Sequence, residues 1–148
     1  MVALLDRHRP GLVGLTAPFP GNVYGALRIG MLVKSHSPAT RVAFGGGYVN
    51  TELRAISDTR IFEFVDCITL DDGERPVECL IEHLQGRRPQ EGLFRTMVPQ
   101  RGAGPAHVAL ISAPAEHDIP FIARGTPTYA GLDLERYLPF IVPPETQG

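Results

Sequence analysis

Cysteine, net charge and long apolar runs are all scarce in this sequence, and each shortage excludes a class of protein. Cys67 and Cys79 are the only cysteines. They have no partner at a zinc spacing and are too few for a disulfide framework. One lies in the apolar stretch Val65–Leu70 and the other in an expected helix, so both are read as buried free thiols. The formal net charge of −2 offers no electrostatic footprint for nucleic acid. No apolar run approaches the roughly 20 residues that span a bilayer. Near the N-terminus, Asp6, Arg7, His8 and Arg9 stand where a signal peptide needs apolar residues, so a cytoplasmic location is expected. Also missing are G-x-G-x-x-G, a Gly-Lys-Ser/Thr phosphate loop, a G-x-S-x-G elbow and H-E-x-x-H. Nothing in the pattern looks like a catalyst.

What remains is an ordinary globular composition, 43% hydrophobic and 20% charged over 148 residues, enough for one domain with a core. Strand-then-helix units fill the first half. Leu12–Thr16 reads as a buried strand ending in a Pro/Gly turn, and Asn22 offers an N-cap for a helix over 23–36 that stops before Pro38. Arg41–Phe44 is a second strand running into Gly45-Gly46-Gly47, with a short helix expected over 52–57 and another turn at 60–64. Val65–Leu70 is the third strand. A helix with Val77, Leu80, Ile81 and Leu84 on one face follows it, closed by Gly86. This alternation predicts an α/β fold, an open parallel sheet of flavodoxin-like or Rossmann-like type with helices on both faces. Leu93–Val98 and His107–Ala113 suggest a C-terminal hairpin, and a proline-rich irregular tail follows it.

In such a sheet, ligands bind beyond the carboxyl ends of the strands. The residues there are Thr16 to Asn22, Gly45 to Asn50, and the turn Asp71-Asp72-Gly73-Glu74. Consecutive glycines let a ligand lie flat against the backbone or let the chain turn through positive φ. A plain strand-to-helix turn explains them as well. The acidic turn could suggest a divalent-cation site, but acidic residues at a turn and helix start are more often N-cap and dipole partners. The five histidines form no ligand pattern.

Gly14 to Arg28, Phe44 to Leu53 and Thr69 to Glu74 together resemble the cobalamin-binding domain of radical-SAM proteins, a likeness that covers about residues 5–98. Residues 99–148 would then be hairpin and tail, and Gly125 to Leu132 is similar to the segment leading into the radical-SAM barrel. In that family a small hydroxyl residue ends one strand and a Gly-Gly pair ends the next, and together they line the slot for the nucleotide tail of the cofactor. The resemblance therefore implies cofactor contacts at Thr16, Pro18, Gly45, Gly46, Gly47, Tyr48, Asp72, Gly73 and Glu74. It implies a radical-SAM domain as partner, with no catalytic residues in this stretch.

Two departures narrow the expectation. The Asp-x-His-x-x-Gly motif that supplies a cobalt-binding histidine is absent, so a metal-bearing cofactor is expected base-off and without a histidine ligand. The family's first two strands should precede residue 5, and no iron–sulfur cluster motif appears. With those strands missing, Leu12–Thr16 becomes a sheet edge that invites pairing with a second copy, as a homodimer, or with the chain's own hairpin as a rearranged edge. The rival reading is an interaction domain that keeps the fold and has lost the cofactor. A third is a small enzyme with an acidic metal or phosphate site at Asp71, Asp72 and Glu74.

Overall fold

The computed structural model describes residues 1–102 and 104–133. Met1–Asp118 form one compact unit, and the described residues from Ile119 onward belong to a second. The first unit is an α/β domain on an open five-stranded sheet, in the spatial order β1-β2-β3-β4-β5. Its strands are β1 (Leu12–Thr16), β2 (Arg41–Gly45), β3 (Cys67–Thr69), β4 (Thr96–Gln100) and β5 (His107–Ile111). The sheet is parallel from β1 to β3 and antiparallel from β3 to β5, so it is mixed where the strand–helix alternation predicts a parallel one. The reason lies between α4 and β4: residues 85–95 intervene, and they bring the chain in opposite Thr69, at the carboxyl end of β3, so β4 runs back along β3. Position 99 falls inside β4, and β5 belongs to the same sheet as the strands before it.

Strand residues alternate between two apolar layers, as a period of two requires. Val42, Phe44, Ile68 and Met97 join one cluster, while Ala43, Cys67 and Val98 join the other. Helix α1 (Val2–His8) and helix α2 (Pro20–His36) cover the first face through Leu5, Ala26 and Val33. Helix α4 (Glu74–Leu84) covers the second through Cys79 and Leu80. Full burial of such side chains contributes roughly 1.5–3 kcal/mol each. Helices thus stand on both faces, and β1 is one edge of the sheet.

Several boundaries differ from the sequence reading. α2 begins at Pro20 with Phe19 as its N-cap, three residues before the expected start, because proline's fixed φ suits the first helical position. The short helix after β2 is α3 (Gly47–Glu52), which starts directly behind Gly46 and ends where 52–57 was expected to begin. A 3-10 turn over Thr59–Glu63 follows. Gly86 does lie past the end of α4 at φ +72°, its N–H donating to the His83 carbonyl. α1 has no sequence-level expectation behind it. Both cysteines are free and buried, as read. Among the described residues no helix is long and apolar enough to cross a membrane.

Candidate functional site

The carboxyl ends of the three parallel strands meet at a cavity of about 360 Å³ on the α4 face of the sheet. Register explains its floor. Thr16 pairs with Gly45 and Gly14 with Ala43, while Ala43 pairs with Cys67 and Phe44 with Ile68, which sets Gly45 beside Thr69. One row across the sheet is therefore Thr16–Gly45–Thr69, and the row beneath is Gly14–Ala43–Cys67. At a strand spacing of about 4.8 Å, the outer two residues of a row stand about 10 Å apart. Small residues fill the middle of both rows, so the floor is shallow. Val77 of α4 and the Asp71–Gly73 turn form the opposite wall.

The two glycines that end β2 have separate reasons. Gly46 has φ +110°, and a Cβ there would stand 2.8–3.0 Å from the Ala17 backbone. That backbone is held in place, since Ala17 N–H donates to the Gly45 carbonyl at 2.9 Å and Tyr48 N–H donates to the Ala17 carbonyl at 3.1 Å. Gly46 thus lets the loop after β1 lock onto the turn after β2, which is the strand-to-helix-turn explanation with its contacts supplied. At Gly45 a Cβ would meet the Thr69 hydroxyl oxygen at 3.0 Å. The missing side chain of Gly45 is what gives that hydroxyl its room.

The rim turn after β3 is tied just as firmly. Asp71 sits at φ +61°. Its N–H donates to Asn50 Oδ1 at 2.6 Å, and its carbonyl accepts from Asn50 Nδ2 at 3.1 Å. Arg54 grips the Asp71 carboxylate with both Nη atoms, at 2.5 and 3.1 Å. Arg95, itself at φ +43°, reaches the same carboxylate at 3.1 Å and also bonds Asp118. The Arg54 guanidinium holds the Asp71 carboxyl below its usual range, with partial burial opposing it and Arg95 assisting. This arrangement leaves the Asp71 carboxylate of the acidic turn already paired. Two guanidiniums engage Asp71, and among the described residues no group of three His, Cys, Asp or Glu side chains converges to hold a metal.

Of the residues the sequence pointed to, Thr16, Gly45, Gly46, Asp72 and Gly73 come together around the cavity. Pro18, Gly47, Tyr48 and Glu74 do not line it. Pro18 and Gly47 face each other across the loop contact, Tyr48 helps pin Ala17, and Glu74 opens α4. Sequence reasoning missed Gly14, Ala43, Thr69 and Val77. The signal for Thr69 was available, because it ends β3 as Thr16 ends β1. No histidine lines the cavity. Comparisons with protein-family models, with curated proteins and with solved structures find no match to this chain.

Proposed function

We propose that this chain is a cobalamin-binding module of a radical-SAM protein, its cavity taking the nucleotide tail of the cofactor. The observation that carries the reading is the Thr16–Gly45–Thr69 row, two hydroxyls flanking a glycine at the carboxyl ends of parallel strands. A flat ring needs a floor without bulky side chains and a few polar groups at its edge, and this cavity supplies both. Its volume of about 360 Å³ is within the range of small-ligand sites. Bound cobalamin would supply organocobalt chemistry to the radical-SAM partner. The residues of this chain hold the tail, orient it and shield it from water.

Titration with cobalamin, followed by the visible spectrum and the melting temperature, tests the reading. A ligand present at a hundredfold its dissociation constant stabilises the folded state by about 2.7 kcal/mol. Gly14→Val sharpens the test. A Cβ at Gly14 meets nothing within 4 Å, and strand alternation turns it toward the cavity face. Binding by the parent chain that is lost in this variant, with folding intact, supports the site. No spectral or thermal change at high cobalamin sinks the proposal.

One observation favours the interaction-domain alternative. β1 is an outer strand whose five residues include no charge and no proline, the usual guards of an exposed edge. A homodimer formed through this edge would appear in sedimentation as a concentration-dependent mass. A monomer at high concentration removes it.

A further inference from the structure

We infer, resting on the reading of β1 as an interaction edge, that two copies of this chain join there antiparallel about Gly14, so that Leu12 of each copy stands beside Thr16 of the other and walls its cavity. The backbone decides which groups are available. Arg41 N–H donates to the Gly11 carbonyl and Ala17 N–H to the Gly45 carbonyl, both at 2.9 Å. In the β1–β2 register this commits the odd-numbered residues of the strand to β2. Backbone direction alternates along a strand, so the N–H and C=O groups of Leu12, Gly14 and Thr16 point away from β2. Among the described residues no strand pairs with them.

An unpaired row of this kind is completed by an added strand. A second copy of β1 fits because Val13 and Leu15 flank a central glycine and the strand holds no charge and no proline. Twofold symmetry needs a patch that complements itself. Antiparallel pairing centred on Gly14 brings all the free residues opposite one another, Leu12 to Thr16 and Gly14 to Gly14. Any other antiparallel register leaves one of them out. On the α2 face the same register sets Val13 opposite Leu15, an apolar pair made twice. There is room for it. A groove of about 410 Å³ runs between β1 and α2, and a Cβ at Gly21 or Gly25 along it meets nothing within 4 Å. On the α4 face the Thr16–Gly45–Thr69 row gains Leu12 of the second copy beyond Thr16, which gives the cavity an apolar wall on its exposed side.

Sedimentation of the full chain over a wide concentration range, with amide hydrogen exchange on the same samples, tests it. Mass is expected to rise toward twice that of the chain, with slower exchange at Leu12, Gly14 and Thr16. Gly14→Lys sets like charges opposite each other across the axis, in space where a Cβ meets nothing. It is expected to weaken the dimer at least about tenfold and to leave the melting temperature of the monomer unchanged. Mixed Leu12→Cys and Thr16→Cys chains are expected to be bridged by a short bifunctional thiol reagent. Thr16→Cys chains alone should stay unbridged, because the two copies of that position lie roughly 13 Å apart in this register. Melting temperatures show which variants fold, and exchange in the parent chain needs none of them. A monomer at every concentration, or a dimer in which those amides still exchange freely, overturns the edge reading and this register with it. A dimer that protects the amides but leaves Leu12→Cys and Thr16→Cys unbridged keeps the edge and overturns the register.

Discussion

Asn50 clasps the backbone of Asp71 from both sides, accepting from its N–H at 2.6 Å and donating to its carbonyl at 3.1 Å. One side-chain amide thereby joins the segment after β2 to the turn after β3, two stretches 21 positions apart in sequence. The left-handed conformation of Asp71 persists because its surroundings determine it so fully. Asn50→Ala removes both bonds at a partly buried site and is expected to cost about 1–3 kcal/mol. Urea unfolding measures it, and hydrogen exchange at 71–73 is expected to rise in parallel. A variant as stable as the parent would mean that Arg54 and Arg95 hold the turn alone.

Gly46, just past β2, and Gly14, within β1, make a sharp contrast. Gly46→Ala combines a left-handed backbone with an approach of 2.8 Å to Ala17, so a loss of about 2–4 kcal/mol is expected. Gly14→Ala meets open space in an extended strand, and a gain of about 0.5 kcal/mol is expected from the smaller entropy loss on folding. Denaturant midpoints for the two variants should therefore move in opposite directions.

Glu116 links the segment after β5 to α4. Its carboxylate accepts from Arg88 at 2.5 Å and from Arg75 at 2.6 Å. The two guanidiniums, Arg88 foremost, hold its carboxyl below the usual range against the opposing effect of burial. A folded-state pKa below the unfolded value means stability that is complete above about pH 4.3 and lost as pH falls through the folded value. Glu116→Gln is expected to lower stability by about 2 kcal/mol at pH 7. The gap to the parent should narrow as both proteins are taken below pH 4. A gap that stays constant down to pH 3 would show that the ionised form of Glu116 contributes nothing.

Both thiols should be silent in the native protein. Burial, with Asp66 assisting, pushes the Cys67 thiol up to about 12, and burial raises Cys79 too. Because the thiolate is the reactive species, a disulfide reagent at neutral pH is expected to label neither until the chain unfolds. Rapid native labelling of either cysteine would contradict the packing of the α4 face.

Much of the fold was legible because the relevant signals are local. The runs read as strands at 12–16, 41–44 and 65–70 do hold β1, β2 and β3, Gly86 lies just past α4, and the loops after the strands do gather at one end of the sheet. α1 escaped notice because it is a short helix that buries only Leu5 and leaves Val2 and Leu4 exposed, so it shows no clear apolar stripe. The start of α3 was misplaced because Gly46 turns the chain at once, and its positive φ depends on Ala17 arriving from another strand.

The candidate site divides along the same line. Sequence alone determined that a hydroxyl residue and a glycine run would end neighbouring strands, since apolar periodicity and turn residues encode where each strand stops. Only the tertiary structure decided what those glycines are for. Gly46 admits the backbone of Ala17, and Gly45 makes room for the hydroxyl of Thr69. Register between strands is a long-range property, set by packing on two faces at once. That is why Thr69 could be read as the end of a strand but not as the wall of a cavity.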